Sequence, residues 1–358
     1  MDLNQIEANW LTEALHRNGH LIQGCTVELK QDILRRAKYS DVVRLHLSYS
    51  ADATDKHGAA PPPQLILKTN RQRSSAQRNP LFAVREFTFY SQIAPAMASR
   101  QFPRCYDAAF DAGAGSYHLL LEDLSGTHNH VSNPLPPPLS VCEQIVECLA
   151  RFHAAWWNDP RMGTAFGKPY VEERWTQRGA RIQRHVDKFL ERLGDRLSAS
   201  RRDILLEFSS VFSCLLKQQG AGPLTITHGD AHYQNFMLTP ADADCRIIDW
   251  EDWELAPGTD DLAFLMAVLW FPERRGRLEL DLLQRYHRTL LASGVAQYAW
   301  DDFWNDYRLS VVKHLSKPLY QWLNGIGASS WWNNLERVFN AYEDLGCAEV
   351  IAQLKANA

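Results

Sequence analysis

The densest chemistry in this 358-residue chain lies in Thr225-Ile-Thr-His228-Gly229-Asp230-Ala-His232-Tyr-Gln-Asn235, followed by Cys245-Arg-Ile-Ile-Asp249-Trp250-Glu251. An apolar strand runs into His-Gly-Asp, Asn235 follows on the same turn, and a second apolar strand ends at Asp249. Phosphoryl transfer passes through a loose, highly charged transition state and asks little covalent chemistry of a protein. It needs a carboxylate to orient the accepting hydroxyl and oxygen ligands for a magnesium ion bridging the phosphates. Asp230, Asn235 and Asp249 supply that set. His228 and His232 are four residues apart, a zinc spacing when both lie on a helix. Here Gly229 and the preceding strand place them in a loop, where His228 is better read as bracing the turn through hydrogen bonds.

The order Asp-x-x-x-x-Asn and then Asp is that of the protein-kinase catalytic loop and metal-binding segment. In the form His-Gly-Asp with Asp-Trp-Glu, continued by Gly258-Thr259-Asp260-Asp261-Leu262-Ala263, it resembles the aminoglycoside phosphotransferase and choline kinase superfamily. The resemblance implies an α+β, two-lobed, protein-kinase-like fold, with a small β-rich N-terminal lobe and a larger, mainly helical C-terminal lobe. It implies that Asp230 orients the hydroxyl, that Asn235 and Asp249 hold Mg2+, and that Asp261 supports the catalytic loop. It also implies a strand lysine for the nucleotide phosphates and a helix glutamate to hold it, and Lys68 and Glu86 occupy those places. Glu122-Asp123-Leu124 then resembles the interlobe connection, whose backbone would meet the adenine edge. One departure stands out. Protein kinases cover the phosphates with a glycine-rich loop, but the turn Arg35–Asp41 has no glycine; Ser40 would bond a phosphate there, with charge from Arg36 or Lys38.

Elements able to hold these residues can be read from periodicity. Strands are expected over Cys25–Leu29, Val42–Tyr49, Gln64–Lys68 and Tyr117–Glu122, from apolar alternation and turn residues at their ends. Between the last two, Phe82, Glu86, Phe89, Tyr90 and Ile93 share one face of a helix. Beyond a proline-rich stretch, Asn133–Pro138, the pattern is helical apart from the β-rich island Leu224–Asp249. The expected division is a nucleotide-binding lobe over 1–122 and a helical lobe over 123–358 with the catalytic loop and acceptor site.

Composition narrows the functional class. A net charge of −4 lacks the basic excess of a nucleic-acid binder. The opening residues carry Asp2 and Glu7 and do not read as a secretory leader, and no apolar run is long enough for a membrane span. Seven scattered cysteines without a C-x-x-C pair suit reduced thiols, so a cytoplasmic location is expected. The expected activity is a kinase that uses ATP, or GTP, with Mg2+ to phosphorylate a hydroxyl of a small molecule. Trp250 and Trp253, with the acids Glu251, Asp252 and Glu254, lean toward an amine-bearing acceptor such as an aminoglycoside, an amino alcohol or an amino sugar, although tryptophans at helical spacing are more often core. The alternatives are a nucleotide-binding pseudokinase, which the glycine-poor turn favours, and a zinc hydrolase. Oligomeric state is not legible.

Overall fold

The computed structural model describes residues 6–36, 40–70, 80–98, 100–113, 115–131, 135–168, 171–240 and 244–356. In chain order the elements are α1 (Ala8–Arg17), β1 (Val27–Arg36), β2 (Ser40–Tyr49), β3 (Gln64–Asn70), α2 (Pro80–Thr88), β4 (Cys105–Asp111), β5 (Ser116–Glu122) and β6 (Asn129–His130). Then come α3 (Leu139–Ala155), α4 (Glu172–Leu193), α5 (Ala199–Ala221), β7 (Thr225–Thr227), β8 (Phe236–Leu238), β9 (Cys245–Ile247) and β10 (Glu254–Ala256). Six helices complete the chain: α6 (Thr259–Ala263), α7 (Pro272–Ala292), α8 (Trp300–His314), α9 (Ser316–Leu323), α10 (Ala328–Asp344) and α11 (Cys347–Ala356). Contacts group Met1–Val131 with Phe236–Asp252 in one unit, and Ser132–Asn235 with Trp253–Ala358 in the other.

The first unit is built on an antiparallel sheet in the order β1-β2-β3-β5-β4. Alternation fixes its faces. Val43, Leu45 and Leu47 of β2 point into the core with Leu65 and Leu67 of β3, against Leu11 and Leu15 of α1. Each such side chain contributes roughly 1.5–3 kcal/mol by leaving water. The intervening residues face outward, where Arg44 donates to Asp123 at 2.6 Å and His46 pairs with Asp32 at 2.8 Å. Helix α2 continues into a π-helical turn, Phe89–Ile93. Glu86, Phe89, Tyr90 and Ile93 are all essentially buried, the single inward face that their spacing predicts. A small sheet, β6-β8-β9, joins this unit, and the amide of Ile247 donates to the carbonyl of Gln101 at 2.7 Å.

In the second unit the helices pack in pairs, α3 on α7, α4 on α5, α6 on α8 and α9 on α10. The helical stretch from Val171 resolves into two helices because α4 stops at Gly194, whose φ of 58° is open to glycine and strained for other residues. Helix α5 then starts from Ser198, whose hydroxyl accepts from the amide of Arg201. Arg285 of α7 donates to Glu143 and Glu147 of α3 at 2.7 and 2.6 Å. The late tryptophans pack among helices: Trp322 and Trp331 lie against Phe189, and Trp300 stacks on Trp304. All seven cysteines are free. No helix of the described residues is long and apolar enough to cross a membrane.

Candidate active site

Two constellations hold the residues singled out by the sequence, one in each unit. In the first, Lys68 near the middle of β3 is buried, and its Nζ donates to Glu86 of α2 at 2.8 Å and to Asp249 at 2.5 Å. Glu251 lies 3.8 Å from the same ammonium. Burial by itself would lower the lysine, but the carboxylates of Asp249 and Glu86 outweigh it and hold the ammonium well above its usual range. Glu251 is pushed up to about 8, first by burial and then by Asp249 and Glu86, against the pull of Lys68. Carboxylate oxygens of Glu86, Asp249 and Glu251 lie within 4.8 Å of one another, so three acids surround one cation.

Backbone and packing aim these groups. Asp249 adopts φ 67°, a left-handed conformation uncommon for a residue with a side chain. The next residue, Trp250, is fully buried, with its indole N–H donating to the carbonyl of Ile247 at 3.0 Å. Its ring stacks on Phe89 at 3.9 Å with the planes 7° apart. The tryptophan therefore links the Asp249 segment to the turn that follows Glu86. It presents no free aromatic face to an acceptor. Trp253, 4% exposed, is likewise core.

In the second unit, strand β7 leads directly into the His228–Asn235 loop. Gly229 has φ 78°, so a side chain there would strain the turn. Asp261 is the centre of the support. Its carboxylate accepts from the amides of His228 at 2.7 Å and Gly229 at 2.9 Å, and bonds His153 Nε2 at 3.2 Å. Burial works against its charge, but these bonds hold the carboxyl below its ordinary range. His153 Nδ1 in turn meets the Tyr286 hydroxyl at 2.7 Å. Gly258 closes the group, since a Cβ there would come within 2.5 Å of that hydroxyl and 2.8 Å of His153 Nδ1. His228 is fully buried, and its Nδ1 accepts from the amide of Asp230 at 3.3 Å. Asn235 Nδ2 donates to the carbonyl of Asp230 at 3.0 Å. The Asp230 carboxylate itself is one-third exposed, with Lys317 Nζ at 3.6 Å and His232 Nε2 at 3.5 Å. Tyr286, Gly258 and Lys317 were not among the expected site residues; Tyr286 and Lys317 come from distant helices and carry no local motif, while Gly258 stood in the Gly-Thr-Asp-Asp-Leu-Ala stretch without a role of its own.

Of the remaining expected residues, Ser40 is buried at the start of β2, while Lys38 lies outside the described residues. Glu122 ends β5, its Oε2 accepting from the amide of Arg104 at 3.0 Å. The carbonyl of Leu124 accepts from Thr127 and His128 at 3.0 and 2.8 Å, so the backbone group it could offer a base edge is its N–H. Each acid expected to attract an amine has a cation within reach, but Glu251 shares Lys68 with Glu86 and Asp249. Glu251 faces Lys68, Asp252 lies 3.7 Å from Arg85, and Glu254 is met by Lys313 at 3.3 Å, with Arg174 and Arg178 near 3.8 Å.

The fold is that of the kinase-like phosphotransferases. The chain belongs to the phosphotransferase enzyme family, whose profile matches residues 51–300. No curated protein matches it. Among solved structures it is similar to a candidate aminoglycoside phosphotransferase from Ralstonia eutropha JMP134, at 15% identity and TM-score 0.54, covering 94% of this chain and 98% of that one. It is similar to the GDP complex of aminoglycoside 2'-phosphotransferase-IIIa at 10% identity and TM-score 0.53, covering 94% and 99%. A Plasmodium vivax ethanolamine kinase follows at 13% identity and TM-score 0.51, covering 88% and 82%. At these identities the likeness speaks for the fold, the two-lobed kinase-like architecture that the motifs imply.

Proposed function

We propose that the protein transfers the γ-phosphoryl group of ATP or GTP, with Mg2+, to the hydroxyl of a small molecule, with Asp230 orienting that hydroxyl. The carrying observation is the buried Lys68 ammonium gripped by Glu86 and Asp249, the arrangement that anchoring nucleotide phosphates requires. Residues 1–122 would bind the nucleotide and 123–358 carry the catalytic loop and acceptor site, with Asp249 joining the nucleotide side. A GDP complex of a structurally similar protein supports a nucleotide ligand. The donor set also suits magnesium. It is all oxygen, and carboxylates outnumber the ammonium among Glu86, Asp249, Glu251 and Lys68. Asp249 and Asn235 would hold the ion, whose charge would offset that of the phosphates.

The chain's own part follows from its geometry. Lys68 stays protonated and fixes phosphate oxygens, and Glu86 keeps it from swinging toward solvent. Ser40 would add a hydroxyl bond at the phosphates, and Glu122 and Leu124 backbone contacts would meet the base. Asp261 and His228 hold the loop so that Asp230 projects a carboxylate that an acceptor can reach.

The test is a turnover and binding pair. Asp230→Asn lowers kcat at least about a hundredfold, the lower range for losing a general base. The rise in melting temperature with ATP analogue plus Mg2+ persists in that variant, because a ligand of the native state stabilises it whether or not chemistry follows. Near-normal turnover in the variant would overturn the role of Asp230. No nucleotide-dependent shift in the wild type would overturn the kinase reading, and a shift without turnover of any acceptor would favour a nucleotide-binding pseudokinase.

A further inference from the structure

We propose that Lys317 is a specificity-determining residue and that the acceptor carries an anionic group, a carboxylate or a phosphate, beside the hydroxyl to be phosphorylated. The inference rests on the reading of Asp230 as the residue that orients the hydroxyl. If Asp230 has that role, the acceptor oxygen comes within hydrogen-bond reach of its carboxylate. The Lys317 ammonium is then a near neighbour of the acceptor, because it lies 3.6 Å from Asp230 Oδ1.

Lys317 is well placed to meet a ligand. It projects from the first turn of α9, its Nζ rests 4.1 Å from the centroid of the Phe264 ring, and it reaches the carbonyl of Gly229 at 3.4 Å. Aromatic face and carbonyl hold the ammonium in place without neutralising it, and its side chain stays 24% exposed. Asp230 is the acid it meets among the described residues. That carboxylate must face the hydroxyl during transfer, so a second anion beside it would give Lys317 a counter-charge of its own. An ammonium on the acceptor would instead sit against a like charge at short range.

The neighbouring surface has the same sign. One turn further along α9, Tyr320 carries the guanidinium of Arg181 at 5.7 Å from its ring centroid. On α4, Arg174 and Arg178 share the face of Arg181 by their spacing, and both approach Glu254, which Lys313 already bonds. Lys313 also bonds Asp260, so around the three acids Asp230, Glu254 and Asp260 stand the four cations Lys317, Lys313, Arg174 and Arg178, with Arg181 beyond them. A small hydroxy acid or a phosphorylated alcohol fits this balance; an aminoglycoside or amino alcohol does not. The rule that sets acceptor preference here is charge complementarity combined with repulsion of the wrong class.

The experiment compares two acceptor panels with Mg2+ and ATP: small hydroxycarboxylates and sugar or polyol phosphates against amino alcohols and aminoglycosides. Anionic acceptors are expected to give the higher kcat/KM in the wild type. Lys317→Gln should raise KM for the best of them about tenfold to a hundredfold, the range for losing a hydrogen bond to a charged group, with the loss falling on KM more than on kcat. Lys317→Arg should restore most of it, which a variant that simply failed to fold would not allow. Preferred turnover of amines would overturn the inference and leave the kinase standing. An equal fall in kcat for both panels would assign Lys317 to the transferred phosphoryl group, and would overturn it too. Turnover of neither panel, with no nucleotide consumed, would remove the kinase reading on which the inference rests.

Discussion

Gly258 shows how narrowly the catalytic loop is supported at the level of single residues. Its backbone φ of −58° is one that any residue adopts, so conformation does not demand glycine there. Space does: the position a Cβ would take is within 2.5 Å of the Tyr286 hydroxyl. That hydroxyl bonds His153, which bonds Asp261, which holds the amides of His228 and Gly229. Gly258→Ala should therefore cost about 1–3 kcal/mol by overpacking and lower kcat, although Gly258 need touch no substrate. Tyr286→Phe removes the clashing oxygen. In a double-mutant cycle the pair should recover part of the lost stability, a coupling measurable by denaturant unfolding; strictly additive losses would show that the contact is not the cause.

Among the elements, the pairing of the π-helical turn after α2 with the segment after β9 matters most. Phe89 and Trp250 are both fully buried and stacked, and they bind the Glu86 helix to the Asp249 segment. Trp250→Ala should destabilise the protein by about 3–5 kcal/mol, the usual cost of truncating a buried tryptophan. It should also weaken binding of Mg2+ with ATP analogue, since Asp249 loses its anchor, whereas Trp250→Phe keeps most of both. Titration by thermal shift or calorimetry separates the two effects. Lys68, Glu86 and Asp249 were legible because the motif order around Asp230 implies such residues, and each lies on or just after an apolar strand or on a periodic helix face. Trp250 took a different meaning from the sequence, because exposure of an aromatic beside an acid cannot be read from spacing. Strand β4 was missed as well. Cys105-Tyr-Asp-Ala-Ala-Phe-Asp lacks the β-branched alternation of its neighbours, and its Asp107 is kept inside by Arg17, Asn18 and His118, partners from two other elements. Lys317, Tyr286 and Gly258 escaped for the same reason: their meaning arises only where distant segments meet.

For the molecule as a whole, the clearest handle on pH lies away from the site, on α8. Burial raises Asp306 to about 6, although the Tyr298 hydroxyl donates to it at 2.7 Å. A carboxyl raised in the folded state favours folding fully below its ordinary pKa of about 4, and that contribution is lost as pH rises through about 6. Asp306→Asn keeps an acceptor for Tyr298 and carries no charge. The variant should match the wild type near pH 4 and exceed it at pH 7.5 by a few degrees in Tm, the scale expected for roughly 1–3 kcal/mol. A difference independent of pH would refute that origin.

The division of the chain has a practical corollary. The polypeptide passes from one unit to the other after Val131, Asn235 and Asp252, so a single cut cannot yield either unit intact. A fragment ending at Val131 would lack β8 and β9, strip β6 of its pairing partner, and open the Phe89 ring to water where Trp250 belongs. Lys68 would travel with that fragment while its partner Asp249 stayed behind. Exchanging the first unit between relatives would therefore mean replacing two separate stretches of sequence, 1–131 and 236–252, at once.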